Sequence, residues 1–150
     1  MKRRSFLLNP PFRQIIASDS SAKFESSLLD AIGISLANLI KENKDDKHIW
    51  VYDFDGKILA VFSFLDVGTY FHMDLITINE SEQKLCNEVH PGYSLFTLLE
   101  DYAVKFGHTK IRLDSIGERV EYWKSHGYQI IGMGHVDDKL GQIYPMEKQL

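Results

Sequence analysis

The chain has 150 residues, of which 44% are hydrophobic and 25% are charged, and its formal net charge is −4. This length suits a single domain over residues 1–150, and the composition is typical of a globular protein rather than a disordered one. The acidic balance gives no general support for binding nucleic acid, so no nucleic-acid partner is expected. The basic run Lys2-Arg3-Arg4 is short and terminal, which predicts a solvated tail.

Cysteine content and hydropathy bear on the cellular setting. Cys86 is the only cysteine, so an intramolecular disulfide is excluded and a reducing, cytoplasmic setting is expected. The apolar run Phe6-Leu7-Leu8 is too short for a signal-peptide core, and no stretch approaches the ~20 apolar residues that span a membrane. The six histidines are scattered, and Cys86 with His90 lacks a second pair at ligand spacing. No membrane or metal site is therefore expected.

The chain begins with a predicted strand followed by a helical stretch. Residues 12–17 form a short apolar run that predicts the first strand, and one of residues 19–21 is expected to cap the helix that follows. Apolar side chains then recur at helical spacing over residues 22–43. Gly33 interrupts this pattern and is costly inside a helix, so it is the point where the stretch divides into two short helices.

A meander of three strands follows. Residues 49–54 and 58–65 are rich in aromatic and β-branched side chains, and Asp55-Gly56 between them is a strong signal for a two-residue hairpin turn. Residues 70–78 predict the next strand, after a weaker turn near Gly68. These strands are expected to pair in an antiparallel arrangement.

The second half alternates helices with strands. Residues 93–106 carry one apolar face and predict the clearest helix, followed by a strand over 110–113. A further helix is predicted over 118–126, then strands over 128–133 and 142–146. Because a helix joins the strands at 70–78 and 110–113, those two strands are expected to run parallel, with a right-handed crossover.

Two local segments carry a family resemblance. Residues 92–99, Gly-Tyr-Ser-Leu-Phe-Thr-Leu-Leu, resemble the phosphate loop and central helix of the GNAT superfamily of N-acetyltransferases. Residues 114–128, which include Tyr122-Trp123 and Gly127-Tyr128, are similar to its next strand end, helix and strand start. The resemblance implies an α/β (α+β) fold, a mixed central sheet of about seven strands flanked by about four helices, forming one acyl-CoA-binding domain.

The resemblance also implies a site for acetyl-CoA. In the family, the N–H groups of the phosphate loop and the helix dipole bind pyrophosphate, and the pantetheine arm pairs with an exposed edge of the fourth strand. Gly92 is the only loop position that matches outright, and Ser115 stands near a frequent Asn of the family. The implied cofactor-binding residues are Leu75, Ile76, Thr77, Ile78, Val89, His90, Gly92, Tyr93, Ser94, Leu95 and Ser115.

Amine acetylation further requires that the amine lose a proton and that the departing thiolate gain one. Many family members place a tyrosine where this chain has Trp123, which has no phenolic proton. Tyr122 is the adjacent candidate acid, although it is expected to point about 100° away on a helix. Asp74 and Glu80 flank the end of the fourth strand and are the candidate bases, with His72 nearby.

Two functional interpretations stay open at this point. One is an acetyl-CoA-dependent N-acetyltransferase acting on a primary amine of a small cationic molecule or of a protein; a longer acyl group is a variant of it. The other is a GNAT-fold module that binds a partner or an acyl-CoA without turnover, because Val89 and Trp123 depart from the family pattern. It predicts a cleft with no titratable group near the thioester, or one plugged by Trp123, Tyr93 or His90. A homodimer is compatible with either.

Overall fold

A computed structural model describes residues 4–150. Within this range the chain forms five α-helices and eight β-strands, which confirms the predicted mixed architecture and adds one helix and one strand to it. The helices are Ser27–Ile32 (α1), Leu36–Glu42 (α2), Gln83–Val89 (α3), Pro91–Lys105 (α4) and Val120–Ser125 (α5). The strands are Phe12–Gln14 (β1), Lys47–Phe54 (β2), Lys57–Asp66 (β3), Phe71–Ile78 (β4), Lys110–Ile116 (β5), Gln129–Ile130 (β6), His135–Asp137 (β7) and Gly141–Gln149 (β8).

The strands join in one mixed sheet in the order β1-β2-β3-β4-β5-β8-β6, and β7 also pairs with β8. β2, β3 and β4 form the predicted antiparallel meander, with the turn at Asp55-Gly56. β4 and β5 run parallel, and α4 lies between them in the chain, as expected. The remaining pairs are antiparallel.

Helices cover the sheet on both faces. Successive side chains of a strand point to opposite faces, so neighbouring residues of β2 serve two different cores. Trp50 packs in the core that includes the α4 residues Leu95 and Leu99. Ile49 packs in the second core, which holds the α1 residue Leu29. The inner strands β2 and β3 are therefore apolar along much of their length.

The helical stretch before the meander divides at Gly33, as predicted. Gly33 adopts a left-handed conformation with φ of 73°, which ends α1. The capping residue differs from the prediction, because the Ser26 side chain accepts the N–H of Leu29 at the start of α1. Asp19 is instead occupied by the Arg13 guanidinium, at 2.9 Å.

The connection before α4 differs most from the sequence-based expectation. No helix was predicted between β4 and α4, but these residues form a short 3-10 turn, Glu80–Glu82, and α3. His90 alone separates α3 from α4, in a left-handed conformation with φ of 50°. α4 starts at Pro91, a residue suited to the first helical position. Gly92 and the residues after it, which resemble a phosphate loop, therefore belong to the first turn of α4.

The last strands are rearranged relative to the prediction. The strand expected over 128–133 is reduced to β6, while β8 is longer than predicted and pairs with β5, β6 and β7. Tyr128 is fully buried and its hydroxyl donates to Glu100 Oε2 at 2.7 Å. Burial raises the pKa of the Tyr128 phenol far above its ordinary value, helped by the neighbouring Glu100 carboxylate.

The N-terminal segment packs on the molecule. Lys2 and Arg3 lie outside the described residues. Arg4 contradicts the expectation of a solvated tail, because its Nε donates to Asp66 Oδ2 at 2.8 Å and its guanidinium lies 4.5 Å from the centre of the Phe106 ring. Phe6 follows it into the main aromatic core.

Candidate active site

A cleft opens in the sheet where β4 and β5 part. The two strands pair only at residues 71–73 of β4 and 111–113 of β5. Met73 pairs with Phe64 of β3, whereas Leu75 pairs with Ser63, so Asp74 is the extra residue of a β-bulge at the point of separation. Beyond the bulge, β4 stays paired with β3 while its other edge faces a cleft of about 810 Å³.

Most residues predicted to bind the cofactor line this cleft. They are Leu75, Ile76, Thr77, Ile78, His90, Gly92, Tyr93 and Ser115. Val89, Ser94 and Leu95 do not belong to the cleft wall. Val89 is the last residue of α3, the Ser94 hydroxyl donates to the His90 carbonyl at 3.2 Å, and Leu95 is fully buried in the core.

The free edge of β4 offers main-chain groups to the cleft. Alternate residues of a strand direct their N–H and C=O groups to opposite sides, so part of residues 75–78 faces away from β3. The Thr77 side chain ties this part of β4 to the start of α1, because its hydroxyl lies 2.6 Å from the Ser26 hydroxyl. This edge is able to pair with an extended ligand.

The N-terminus of α4 forms a second wall. The Ser94 N–H donates to the His90 carbonyl at 3.1 Å, and Pro91 has no N–H. Helix geometry leaves the N–H groups of Gly92 and Tyr93 without a carbonyl acceptor inside the helix. α4 has 15 residues, and its dipole places partial positive charge at these groups. The arrangement favours an anion.

Gly92 has no side chain, which leaves space beside the N–H groups at the start of α4. A Cβ on Gly92 would meet the Ile76 side chain at 3.5 Å, an ordinary contact distance. An added methyl group would therefore fit the fold, but it would occupy space beside the free N–H groups.

A cationic and aromatic cluster borders the same cleft. The Arg119 guanidinium lies 4.2 Å from the centre of the Tyr122 ring, and both residues line the cleft. The rings of Tyr93 and His126 are 5.3 Å apart, which connects this cluster to the start of α4. Sequence reasoning missed Arg119; its position in the first turn of the helix predicted over 118–126 was the available signal.

Tyr122 faces the cleft together with Trp123, contrary to the expectation that it points away from the site. Both rings lie beside Phe96 of α4, with centroids 6.3 Å away for Tyr122 and 5.0 Å away for Trp123, so both side chains reach the gap between α4 and α5. Trp123 sits deeper, 5.3 Å from the Tyr128 ring. Burial raises the pKa of Tyr122, which Arg119 partly offsets, so the phenol is protonated at neutral pH and can donate.

Asp74 lies in the cleft as part of an ion-paired group. Its Oδ2 is 3.0 Å from Lys47 Nζ and accepts a hydrogen bond from Ser63 at 3.2 Å. Lys47 Nζ also lies 3.2 Å from Glu42 Oε1. Burial opposes the Lys47 charge, but the two carboxylates outweigh that effect and raise the Lys47 pKa. Asp74 is the one candidate base of the two that borders the cleft.

Glu80 is engaged elsewhere. Its carboxylate accepts the Ser27 N–H at 2.5 Å and the Ser27 hydroxyl at 2.6 Å. These hydrogen bonds lower the pKa of Glu80. Glu80 does not line the cleft, so its observed contacts anchor the start of α1.

Two further features complete the site. Ser115 is almost fully buried at the cleft wall, and its hydroxyl donates to the Ile116 carbonyl at 2.8 Å. Nearby, His72 Nε2 lies 3.4 Å from Asp114 Oδ2.

Among residues 4–150, no group of three or more His, Cys, Asp or Glu side chains is placed to hold a metal ion. The helices in that range are all too short or too polar to cross a bilayer.

Solved acetyltransferase structures share this architecture. The ribosomal-protein-S18-alanine N-acetyltransferase from Escherichia coli superposes with a TM-score of 0.69 at 12% identity, covering 92% of each chain. The 150-residue chain described above therefore has the GNAT fold. Ard1 from Thermoplasma volcanium gives 0.69 at 13% identity, covering 93% of this chain and 96% of its own. The PaiA N-acetyltransferase from Thermoplasma acidophilum, solved with coenzyme A, gives 0.67 at 14% identity, covering 93% and 98%.

The GNAT resemblance predicted from the sequence is thus confirmed for the fold. No protein-family model matches the sequence, and no curated protein matches it significantly. The low identities describe a divergent sequence on a shared architecture.

Proposed function

We propose that this protein is an acetyl-CoA-dependent N-acetyltransferase that acts on a primary amine. One observation carries the proposal: the cleft beyond the Asp74 bulge brings together the free β4 edge, the N-terminus of α4 and the Tyr122 phenol. The solved structures that share the fold are named acetyltransferases, and one of them holds coenzyme A. Fold alone leaves function open, so the proposal rests on this site.

Each wall supplies one part of cofactor binding. The N–H groups of Gly92 and Tyr93 would bind the pyrophosphate of acetyl-CoA, because unpaired N–H groups at a helix start favour anions. Arg119 adds a positive charge at the same wall. The β4 edge over residues 75–78 would pair with the pantetheine arm, and its N–H groups would also stabilise the oxyanion that forms at the thioester.

Asp74 would accept the proton of the amine, and Tyr122 would donate a proton to the thiolate. An amine with a pKa near 10 must lose a proton before it attacks the thioester carbon, and Asp74 borders the cleft as the candidate acceptor, directly or through water. When the C–S bond breaks, the departing thiolate requires a proton. The protonated Tyr122 phenol is the candidate donor, in place of a group at Trp123.

The alternative, a module that binds acyl-CoA or a partner without turnover, keeps its support from Trp123. Its expectation of a plugged cleft is not met, because Trp123, Tyr93 and His90 line an open volume of about 810 Å³ rather than filling it. Two titratable groups, Asp74 and Tyr122, also border the cleft. The two interpretations differ in whether an added amine releases coenzyme A.

Thermal unfolding with and without millimolar acetyl-CoA tests the proposal first. Ligand at about 100 times its dissociation constant adds ~2.7 kcal/mol, which raises Tm by several degrees at this size. Gly92→Ala should fold normally and reduce this rise, because its methyl group crowds the anion-binding N–H groups. Gly117→Ala is the matched control, since its Cβ meets nothing closer than 3.7 Å and Gly117 lies outside the cleft wall.

The outcomes separate the interpretations. A saturable Tm rise that Gly92→Ala weakens and Gly117→Ala preserves, followed by amine-dependent thiol release, supports the enzyme. A rise without thiol release for any amine supports the binding module. No rise at any acetyl-CoA concentration overturns the cofactor site itself.

A further inference from the structure

The part of the cleft on the α1–α2 face of the sheet differs in chemistry from the cofactor side. Polar side chains there include Thr77 of β4, whose hydroxyl lies 2.6 Å from the Ser26 hydroxyl. Six further side chains there are aliphatic, and they come from α1, the loop after it, α2, β4 and the turn before β8. They are Leu28, Ile32, Ile34, Leu39, Leu75 and Leu140. We call these six residues the aliphatic wall. A ligand group packed against this wall gains from the burial of apolar surface.

Two loops meet over the aliphatic wall. Lys139 Nζ, in the turn between β7 and β8, donates to the Ile32 carbonyl at the end of α1 at 3.3 Å. The turn is itself fixed, because Asp137 Oδ1 accepts the N–H groups of Lys139 and Leu140 at 2.8 and 2.9 Å. These contacts join the turn before β8 to the end of α1 at the outer side of the region.

The charged groups beside the wall suit one cation. Asp74 and Glu42 contribute two carboxylates, and Lys47 between them contributes one ammonium group. All three residues border the cleft. The local balance is one net negative charge, which complements a single ammonium head group before it is deprotonated.

We propose that the acceptor is a small monoamine with a compact apolar body, such as an arylalkyl or branched alkyl amine. This inference rests on the proposed acetyltransferase function. The ammonium group would approach Asp74 at the bulge, and the apolar body would lie on the aliphatic wall. A polyamine, an aminosugar or a lysine side chain in a peptide would place further charged or hydrogen-bonding groups against side chains that offer them no partner. The acceptor expected from the sequence, a small cationic molecule or a protein, is thereby narrowed to a small, singly charged amine with an apolar body.

A matched pair of acceptors tests this directly. Pentylamine and 1,5-diaminopentane have the same carbon chain, and the second adds one ammonium group at the far end. Thiol release from acetyl-CoA should show a kcat/KM at least about 10-fold higher for pentylamine, since apolar pockets discriminate on this scale. Phenethylamine should also be accepted, and a short peptide with a free N-terminal amine should not.

Variants move the preference if the wall contacts the acceptor. Ile34→Asp should lower kcat/KM for pentylamine about 10-fold or more and raise the relative use of 1,5-diaminopentane. Leu140→Asp is a second variant from a different loop, in case the first fails to fold. Val104→Asp is the matched control, because Val104 is 61% exposed on α4 and lies outside this cleft. All three should keep the acetyl-CoA-induced Tm rise.

The results distinguish the acceptor assignment from the proposed acetyltransferase function on which it rests. Pentylamine preferred by wild type, with the preference reduced by Ile34→Asp or Leu140→Asp and unaffected by Val104→Asp, supports the inference. Equal or better use of the diamine or the peptide overturns the inference and leaves the acetyltransferase intact. An absent Tm rise with acetyl-CoA overturns the function, and the acceptor assignment falls with it.

Discussion

The two helical layers of this protein are built differently. One layer centres on α4, a continuous helix of 15 residues with five buried side chains. The opposite layer consists of α1 and α2, with six and seven residues, separated by Gly33. Isolated helices of that length are marginal, so α1 and α2 depend on their caps and on packing.

This difference divides the cleft into a rigid and a more adaptable half. The α4 N-terminus is positioned by the aromatic core behind it, so the N–H groups of Gly92 and Tyr93 have a fixed place. The aliphatic wall is carried by short helices and two loops joined by one hydrogen bond from Lys139. In the proposed function, the α4 side would hold the cofactor and the α1–α2 side would receive the amine. The following tests sharpen that contrast.

The largest expected effect comes from truncating one buried leucine in each helical layer. Leu99→Ala in α4 should lower the free energy of unfolding by about 3–5 kcal/mol, because fully buried Leu99 is packed in a core of large aromatic rings that cannot close the cavity. Leu29→Ala in α1 should cost about 2–3 kcal/mol, since a short capped helix can shift inward. Urea denaturation of both variants measures the difference, and equal losses would refute a difference in rigidity.

A smaller but more specific effect is expected from Tyr122→Phe. Loss of the phenolic proton should lower kcat about 100-fold while the Tm rise with acetyl-CoA stays unchanged. Tyr52→Phe removes a hydroxyl outside the cleft wall and should leave kcat unchanged. Because the pKa of Tyr122 is raised, wild-type activity that needs the protonated phenol should decline only above pH ~10. Full kcat in Tyr122→Phe would remove this residue from the mechanism.

The smallest effect concerns the anchor of α1. Glu80→Gln should lower Tm by about 1–3 °C at neutral pH, because the carboxylate that accepts two hydrogen bonds from Ser27 is lost. The folded-state pKa of Glu80 is lowered, so its contribution is present above the ordinary value and disappears as pH falls through the folded value. Melting curves from pH 7 to pH 3 should converge for the two proteins. If Glu80→Gln lowered kcat strongly while Tm stayed nearly unchanged, Glu80 would again be a candidate general base.

Elements with strong local signals were predictable. Helix α4 has a sustained apolar period, and the hairpin at Asp55-Gly56 has a distinctive turn pair, so both were found near their observed bounds. α3 was missed because a seven-residue helix offers too few apolar positions to show a period. β7 was missed because its three residues are mostly exposed and are held by pairing with β8.

Site residues divide in the same way. Gly92 and residues 75–78 were singled out through the family resemblance and they line the cleft, while their role in binding a cofactor stays a prediction. Tyr122 was expected to point away, and Arg119 and the aliphatic wall were not predicted at all. Their positions depend on how α5, the loop at Ile34 and the turn at Leu140 pack around the cleft, which local periodicity does not encode.

The sequence by itself therefore determined the order of most elements and, through the family resemblance, the region of the cleft, because hydrophobic spacing and turn chemistry act over a few neighbouring residues. The tertiary structure decided where β4 and β5 part, which of the carboxylates of Asp74 and Glu80 borders the cleft, and which side chains line the cleft on the α1–α2 face. Those features arise from contacts between residues far apart in the chain, such as Asp74 with Lys47 and Lys139 with Ile32.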